Sequence, residues 1–175
     1  MRGGKFLPAY FFALLACSGC TPAETAIPPA WLQGPEVPPL HRAVVAGNAA
    51  RVKALLAAGL DINTADRFGS TALHAAVIMK RPELLRLLIA SGADVNATNA
   101  DRRGALHLAL DNRDAAAAGT LLAAGAAVDG KDIYGYSPLM LAVTAGEAVL
   151  VRLLLDKGAP LDALDNEGAT VLHTA

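Results

Sequence analysis

One spacing constrains this chain more than any other property. His41, His74 and His107 are each 33 residues apart, and His173 lies 66 beyond His107, with Met140 filling the slot between. The strings around these slots read PPLHRAVVAG, TALHAAVIMK, GALHLALDNR, SPLMLAVTAG and TVLHTA. A second matched set, AAGLDIN, ASGADVN, AAGAAVD and DKGAPLD, places a glycine 18 residues after each of the first four slots. Self-similarity at a fixed period of this size implies stacked units. Each is too small to bury its apolar face alone, so its neighbours must complete the core.

The unit reads as helix, turn, helix and a polar projecting loop. Thr71 to Lys80 is short and alanine-rich, with Leu73, Ala76 and Val77 on one face. Pro82 opens a second helix, a position where its missing N–H costs nothing, and Glu83 in the first turn complements the helix dipole. Leu84, Leu87 and Leu88 give that helix an i, i+3, i+4 stripe. Gly59, Gly92, Gly125 and Gly158 each follow a second helix, where a left-handed residue closes it. Gly69, Gly135 and Gly168 mark the loops beyond. Alanine is the commonest residue and aromatics make up only 5%, which suits closely packed helices better than a β-sandwich.

These motifs resemble ankyrin repeats, with their Thr-Pro-Leu-His-x-Ala string followed by Leu-Leu-x-x-Gly-Ala-Asp-Val-Asn. The resemblance implies an all-α ankyrin-repeat solenoid over residues 38–175, with repeats at 38–70, 71–103, 104–136 and 137–169 and a partial one at 170–175. It also implies that His41, His74, His107 and His173 are framework residues, hydrogen-bonded within and between repeats. Repeat three departs furthest from the pattern. Gly104 replaces the Thr slot, Arg102 replaces the loop glycine, and Gly119 interrupts the second helix at a cost of about 1 kcal/mol. Repeat one has Pro38 where the capping hydroxyl belongs. The chain halts six residues into the fifth unit, which leaves Val151, Leu154 and Leu155 of repeat four expected at a partly exposed end.

The polar residues point away from catalysis. Histidines in equivalent slots of stacked helices are about 10 Å apart, too far to share an ion that needs converging ligands. Asp66, Asp132 and Asp165 share one loop slot, where a short acceptor can close a turn. Asp61 and Asp94 share another, and Asp129 and Asp162 a third. The sequence has no nucleophile elbow, no phosphate loop with a following lysine, and no cysteine beyond Cys17 and Cys20. No enzyme, metal or cofactor is implied. A formal net charge of −1 argues against nucleic acid as partner.

The N-terminus reads as an address. Arg2 and Lys5 precede an uncharged run from Phe6 to Ala16, too short for the roughly 20 residues of a membrane span but suited to a secretory h-region. Leu14-Leu15-Ala16-Cys17 resembles a bacterial lipobox, which implies a signal peptide over 1–16 and lipidation of Cys17. Cys20, preceded by Gly19, is the alternative. An ordinary signal peptide cut elsewhere is a third reading, and a Cys17–Cys20 disulfide would close too small a loop to contribute much. Residues 17–37 are proline-rich and read as a semi-rigid spacer, with Trp31 and Leu32 folding back as a lid. The implied location is the periplasmic side of a bacterial membrane, held there only by the lipid. Ser18, where an inner-membrane retention signal would have Asp, favours the outer membrane.

Carried onto this sequence, the family's variable slots nominate a partner-binding face of loop tips and first-helix residues: Arg67, Phe68, Ile78, Met79, Asp101, Arg103, Asp111, Ile133, Tyr134 and Tyr136. The chain has eight aromatics. Phe68, Tyr134 and Tyr136, the only three beyond Trp31, all fall in the loops, and aromatics and Arg are common interface anchors. The expectation is a protein-interaction module whose Phe68, Ile78, Met79, Tyr134 and Tyr136 form one patch, with Arg67, Arg103, Asp101 and Asp111 at its rim. Two narrower readings are an immunity or inhibitor protein that neutralises a periplasmic toxin or enzyme, and a structural tether of the envelope.

Overall fold

The computed structural model describes residues 37–170. Cys17, Cys20, Trp31 and His173 lie outside the described residues. Eight helices occupy this stretch in four pairs: α1 (Pro39–Val45) with α2 (Ala49–Ala57), α3 (Ala72–Ile78) with α4 (Pro82–Ala90), α5 (Ala105–Asp111) with α6 (Ala115–Ala123), and α7 (Pro138–Thr144) with α8 (Ala148–Asp156). Every first helix has seven residues and every second helix nine. Among the described residues no helix is long and apolar enough to cross a membrane.

Side chains in equivalent slots start these helices. The Asn48 carboxamide oxygen accepts from Arg51 N at 2.8 Å to cap α2, and Asp114 does the same for α6 from Ala117 N at 2.9 Å. Pro82 sits in the first turn of α4 and Pro138 in that of α7. Gly119 does not break α6, which runs unbroken to Ala123.

The first helices stack α1 on α3 on α5 on α7, and the second helices stack α4 on α6 on α8. Two rows of small and large residues make this possible. Ala43, Ala76, Ala109 and Ala142 share one slot and are at most 5% exposed, so the first helices approach without intervening bulk. Leu40, Leu73, Leu106 and Leu139 share another and are at most 3% exposed. Leu88, Leu121 and Leu154 form the matching row on the second helices, all buried. Each such leucine contributes about 1.5–3 kcal/mol on burial.

Both margins of the stack differ from expectation. Val37, assigned from sequence to the spacer, is buried against Val45 with Met79 beside it, so packing begins with it. At the far margin Leu154 faces the core and is fully buried, whereas Val149, Leu155, Leu161 and Leu164 are exposed. Leu154 belongs to the repeating leucine row, which points it inward along the stack.

Candidate interaction surface

The loops joining successive pairs are held by one carboxylate or carboxamide each. Asp66 Oδ1 accepts from Phe68 N at 2.8 Å and Ser70 N at 2.9 Å. Asp132 accepts from Tyr134 N and Tyr136 N, and Asp165 from Glu167 N and Ala169 N. The aspartate slot read from sequence is therefore a turn-closing slot. Asn99 fills it in the remaining loop, accepting from Asp101 N and Arg103 N. The loop tips are then laced to one another by backbone. Ala100 N donates to Phe68 O, Ile133 N to Asp101 O and Asn166 N to Tyr134 O. A tip laced on both sides is a rigid platform.

The histidines tie the loops to the helices. His41 Nε2 donates to Ser70 O at 2.7 Å and His74 Nε2 to Arg103 O at 3.1 Å. His74 Nδ1 accepts from Thr71 N, with the Thr71 hydroxyl 2.9 Å away, and His107 Nδ1 accepts from Gly104 N. An Nδ1 that accepts and an Nε2 that donates fix the neutral tautomer. Burial pushes the pKa of His41 and His74 below the ordinary value. His107 is pushed down to about 4, first by burial and then by the charge of Arg103. Among the described residues no three His, Cys, Asp or Glu side chains converge as metal ligands would.

The nominated partner residues divide into three groups. Ile133 and Tyr134 are 40% and 45% exposed at the tip before α7. Arg67 is also exposed, its guanidinium 4.7 Å above the Phe68 ring, a cation–π contact that covers one face of Phe68. Asp101 is half-buried at its own tip. A second group is partly spent on the fold. Tyr136 and Ile78 are half-buried against the main core, and half-buried Met79 packs on Val37 and Val45. The five-residue apolar patch is thus narrower than the sequence suggested.

The third group is a correction. Arg103 is not a rim residue: it is 7% exposed, with Nη2 paired to Asp111 Oδ2. Asp111 closes α5, two turns beyond Arg103, so the side chain lies along the helix and is covered by it. The Asp111 carboxyl is raised above its ordinary range by burial, which the Arg103 charge opposes. A loop arginine and a helix aspartate eight residues on are a signal that sequence alone could have offered.

Sequence reasoning also missed a carboxamide ladder on the far side of the loops. Asn63 Oδ1 accepts from Asp94 N, and Asn96 Oδ1 accepts from Ala127 N. Asp129 holds the next slot, and the position it would serve is Pro160, which has no N–H.

Among known families, the chain matches ankyrin repeats (3 copies) over residues 23–99, 40–132 and 106–175. No curated protein gives a match. The matched stretches cover well over half of the sequence and coincide with the stacked pairs and laced loops, which are the framework of a protein–protein interaction module. The chain belongs to the ankyrin-repeat family.

Proposed function

We propose that this chain is a non-catalytic capture module, tethered through lipid on Cys17 to the periplasmic side of a bacterial membrane, preferentially the outer one. It binds a protein partner through its loop tips and the adjoining first-helix face. One observation carries the binding reading: Ile133 and Tyr134 stand exposed on a tip whose backbone is hydrogen-bonded to both neighbouring tips. An exposed aromatic on a rigid support loses little side-chain freedom on binding, the property of an anchor. The Asp66, Asp132 and Asp165 carboxylates and the Asn99 carboxamide are meanwhile occupied in closing the loops, which supports a scaffold role. The lipobox-like Leu14-Leu15-Ala16-Cys17 string and the proline-rich spacer support the tether.

The test is capture from envelope extract with the full chain, followed by affinity measurement on the captured protein. Tyr134→Ala should weaken binding by about 2 kcal/mol, roughly 30-fold, with melting temperature unchanged. Arg86→Ala on the exposed face of α4 should leave affinity alone. The reverse pattern would place the interface on the second helices. Assaying the captured partner's activity separates capture from inhibition. Lipid labelling lost in Cys17→Ala and kept in Cys20→Ala is the expected result for the anchor; the opposite result moves it to Cys20.

A further inference from the structure

Repeat three and the loop leading into it differ from their counterparts at several positions, and four of these residues meet in one place. A cavity of about 280 Å³ lies between the 95–104 and 126–131 loops, with His107 in its wall. Gly104 lines it where Thr71 and Ser137 occupy the equivalent slots, and Gly130 lines it where Thr64, Ala97 and Ala163 do. Arg102 lines it in a slot that is glycine in the other three loops, and Lys131 in a slot held elsewhere by Ala65, Thr98 and Leu164.

The backbone does not demand either glycine in the wall. A Cβ at Gly104 would sit 3.5 Å from Ala97 O and 3.8 Å from His107 Nδ1, and one at Gly130 would sit 3.6 Å from His107 Cε1. All are ordinary contacts, and neither residue has a left-handed φ. The missing side chains therefore leave space that the fold could have filled. Arg102 is the converse case. It holds φ at +57° where Gly69, Gly135 and Gly168 hold +75° to +85°, a conformation glycine adopts without penalty and arginine does not. Lys80 and Arg113 hold the same conformation, so what sets Arg102 apart is that it brings a charge to a cavity wall.

The chemistry of the wall says what would enter. Arg102 and Lys131 bring two positive charges, and among the described residues no carboxylate lines the cavity. Lys131 Nζ donates to Leu164 O at 2.7 Å, which leaves two of its three donors. Val95, Leu106 and Ala126 supply apolar wall. The volume is just below the usual range for drug-sized ligands. His107 has also turned from the acceptor its counterparts use: Nε2 donates to Gly130 O at 3.2 Å, within the cavity wall. We infer that this cavity binds a small organic carboxylate with a compact apolar body, its charge held by Arg102 and Lys131. The inference is independent of the protein-partner reading.

Benzoate is the probe, with neutral benzamide as its control, titrated into the isotope-labelled full chain and followed by nuclear magnetic resonance. Benzoate should give saturable shifts centred on the Gly104 and Gly130 amides and the His107 ring, and benzamide should bind at least tenfold more weakly. Gly104→Thr and Gly130→Ala should each abolish the saturable shifts while keeping the fold. Arg102→Gly should weaken benzoate at least tenfold and raise the melting temperature, because it removes charge and strain together. Should one filling variant fail to fold, the other and Arg102→Gly decide the matter. Shifts that do not saturate, that are equal for benzamide, or that survive Gly104→Thr and Arg102→Gly overturn the inference.

Discussion

At the residue scale the histidine slot shows how a single position carries the fold and how its neighbours tune it. His74 is satisfied at both ring nitrogens. His41 is not: its Nδ1 is buried with no partner among the described residues, because the residue three before it is Pro38, which has neither hydroxyl nor N–H. Pro38→Thr supplies both, and Pro38 holds the extended ψ of 143° that a capping threonine takes. The substitution should raise stability by about 1 kcal/mol net, the gain of a cap reduced by the lost rigidity of proline; denaturant titration reads it, and no gain would mean that Nδ1 is solvated. Protonation gives a second prediction. A base whose pKa is lower folded than unfolded is neutral in the native state, so stability is full above the unfolded value of 6.5 and falls as pH drops through it towards the folded value. For His107, at about 4, the loss approaches 3 kcal/mol. His41 and His74 act in the same direction, and Asp111, with its raised pKa, opposes them as it takes up its proton. The unfolding free energy should therefore decline between pH 6.5 and 4, and His107→Gln should flatten that decline. A curve level from pH 7 to 5 would contradict the buried neutral assignment. The slot was legible in the sequence because period alone exposes it. The missing partner of His41 was half legible, since Pro38 showed the lost hydroxyl but not that the ring nitrogen would be sealed from water.

At the element scale the loops carry most of what the sequence did not reveal. Helix positions followed from leucine and alanine spacing, and the stacked pairs occupy the expected registers. Which loop residues face outward did not follow, because equivalent slots spend their side chains differently. Arg103 turns back along α5 to Asp111, while Tyr136, in the same slot one repeat on, packs on the core. Loop spacing also hides how closely neighbouring tips approach. Gly135 and Gly168 have nearly the same left-handed φ, +85° and +79°. A Cβ at Gly135 would meet Asn166 N and Oδ1 at 2.6 Å, whereas one at Gly168 meets none of the described residues within 4 Å. Gly168→Ala should therefore cost only the conformational penalty of about 1 kcal/mol. Gly135→Ala should cost clearly more, because it also pushes Asn166 away and breaks the bonds from Asn166 to Tyr134 O and Ile133 O. Thermal melts of the two variants side by side give the comparison, and equal losses would show that the tips are not tightly apposed.

At the scale of the whole molecule, each helix packs on its partner, the first helices pack on one another from α1 to α7, and α4, α6 and α8 do the same, so cooperativity passes along the stack through repeat three. That repeat is the weakest link by composition. Its second helix has four consecutive alanines and Gly119 in place of a branched apolar pair, and Leu121 and Leu122 are the only large buried side chains it contributes. Leu121 is fully buried in the row between Leu88 and Leu154. Leu121→Ala removes that link at a cost of about 2–5 kcal/mol. In a compact domain with long-range contacts, such a loss would lower one cooperative transition. In a nearest-neighbour stack it should also divide the transition, since α3 with α4 keeps the full packing of α3 on α1, while α7 with α8 keeps the packing of α7 on α5 but loses part of its hold through α6. The α7–α8 pair is also where Val149 and Leu155 are exposed, so it has the least burial to fall back on. Hydrogen exchange of the Leu121→Ala chain should show the α7 and α8 amides losing protection well before those of α3 and α4. The unsubstituted chain should show a smaller spread. Protection lost evenly from α1 to α8 would mean that stability is shared over the whole stack and that repeat three is no boundary.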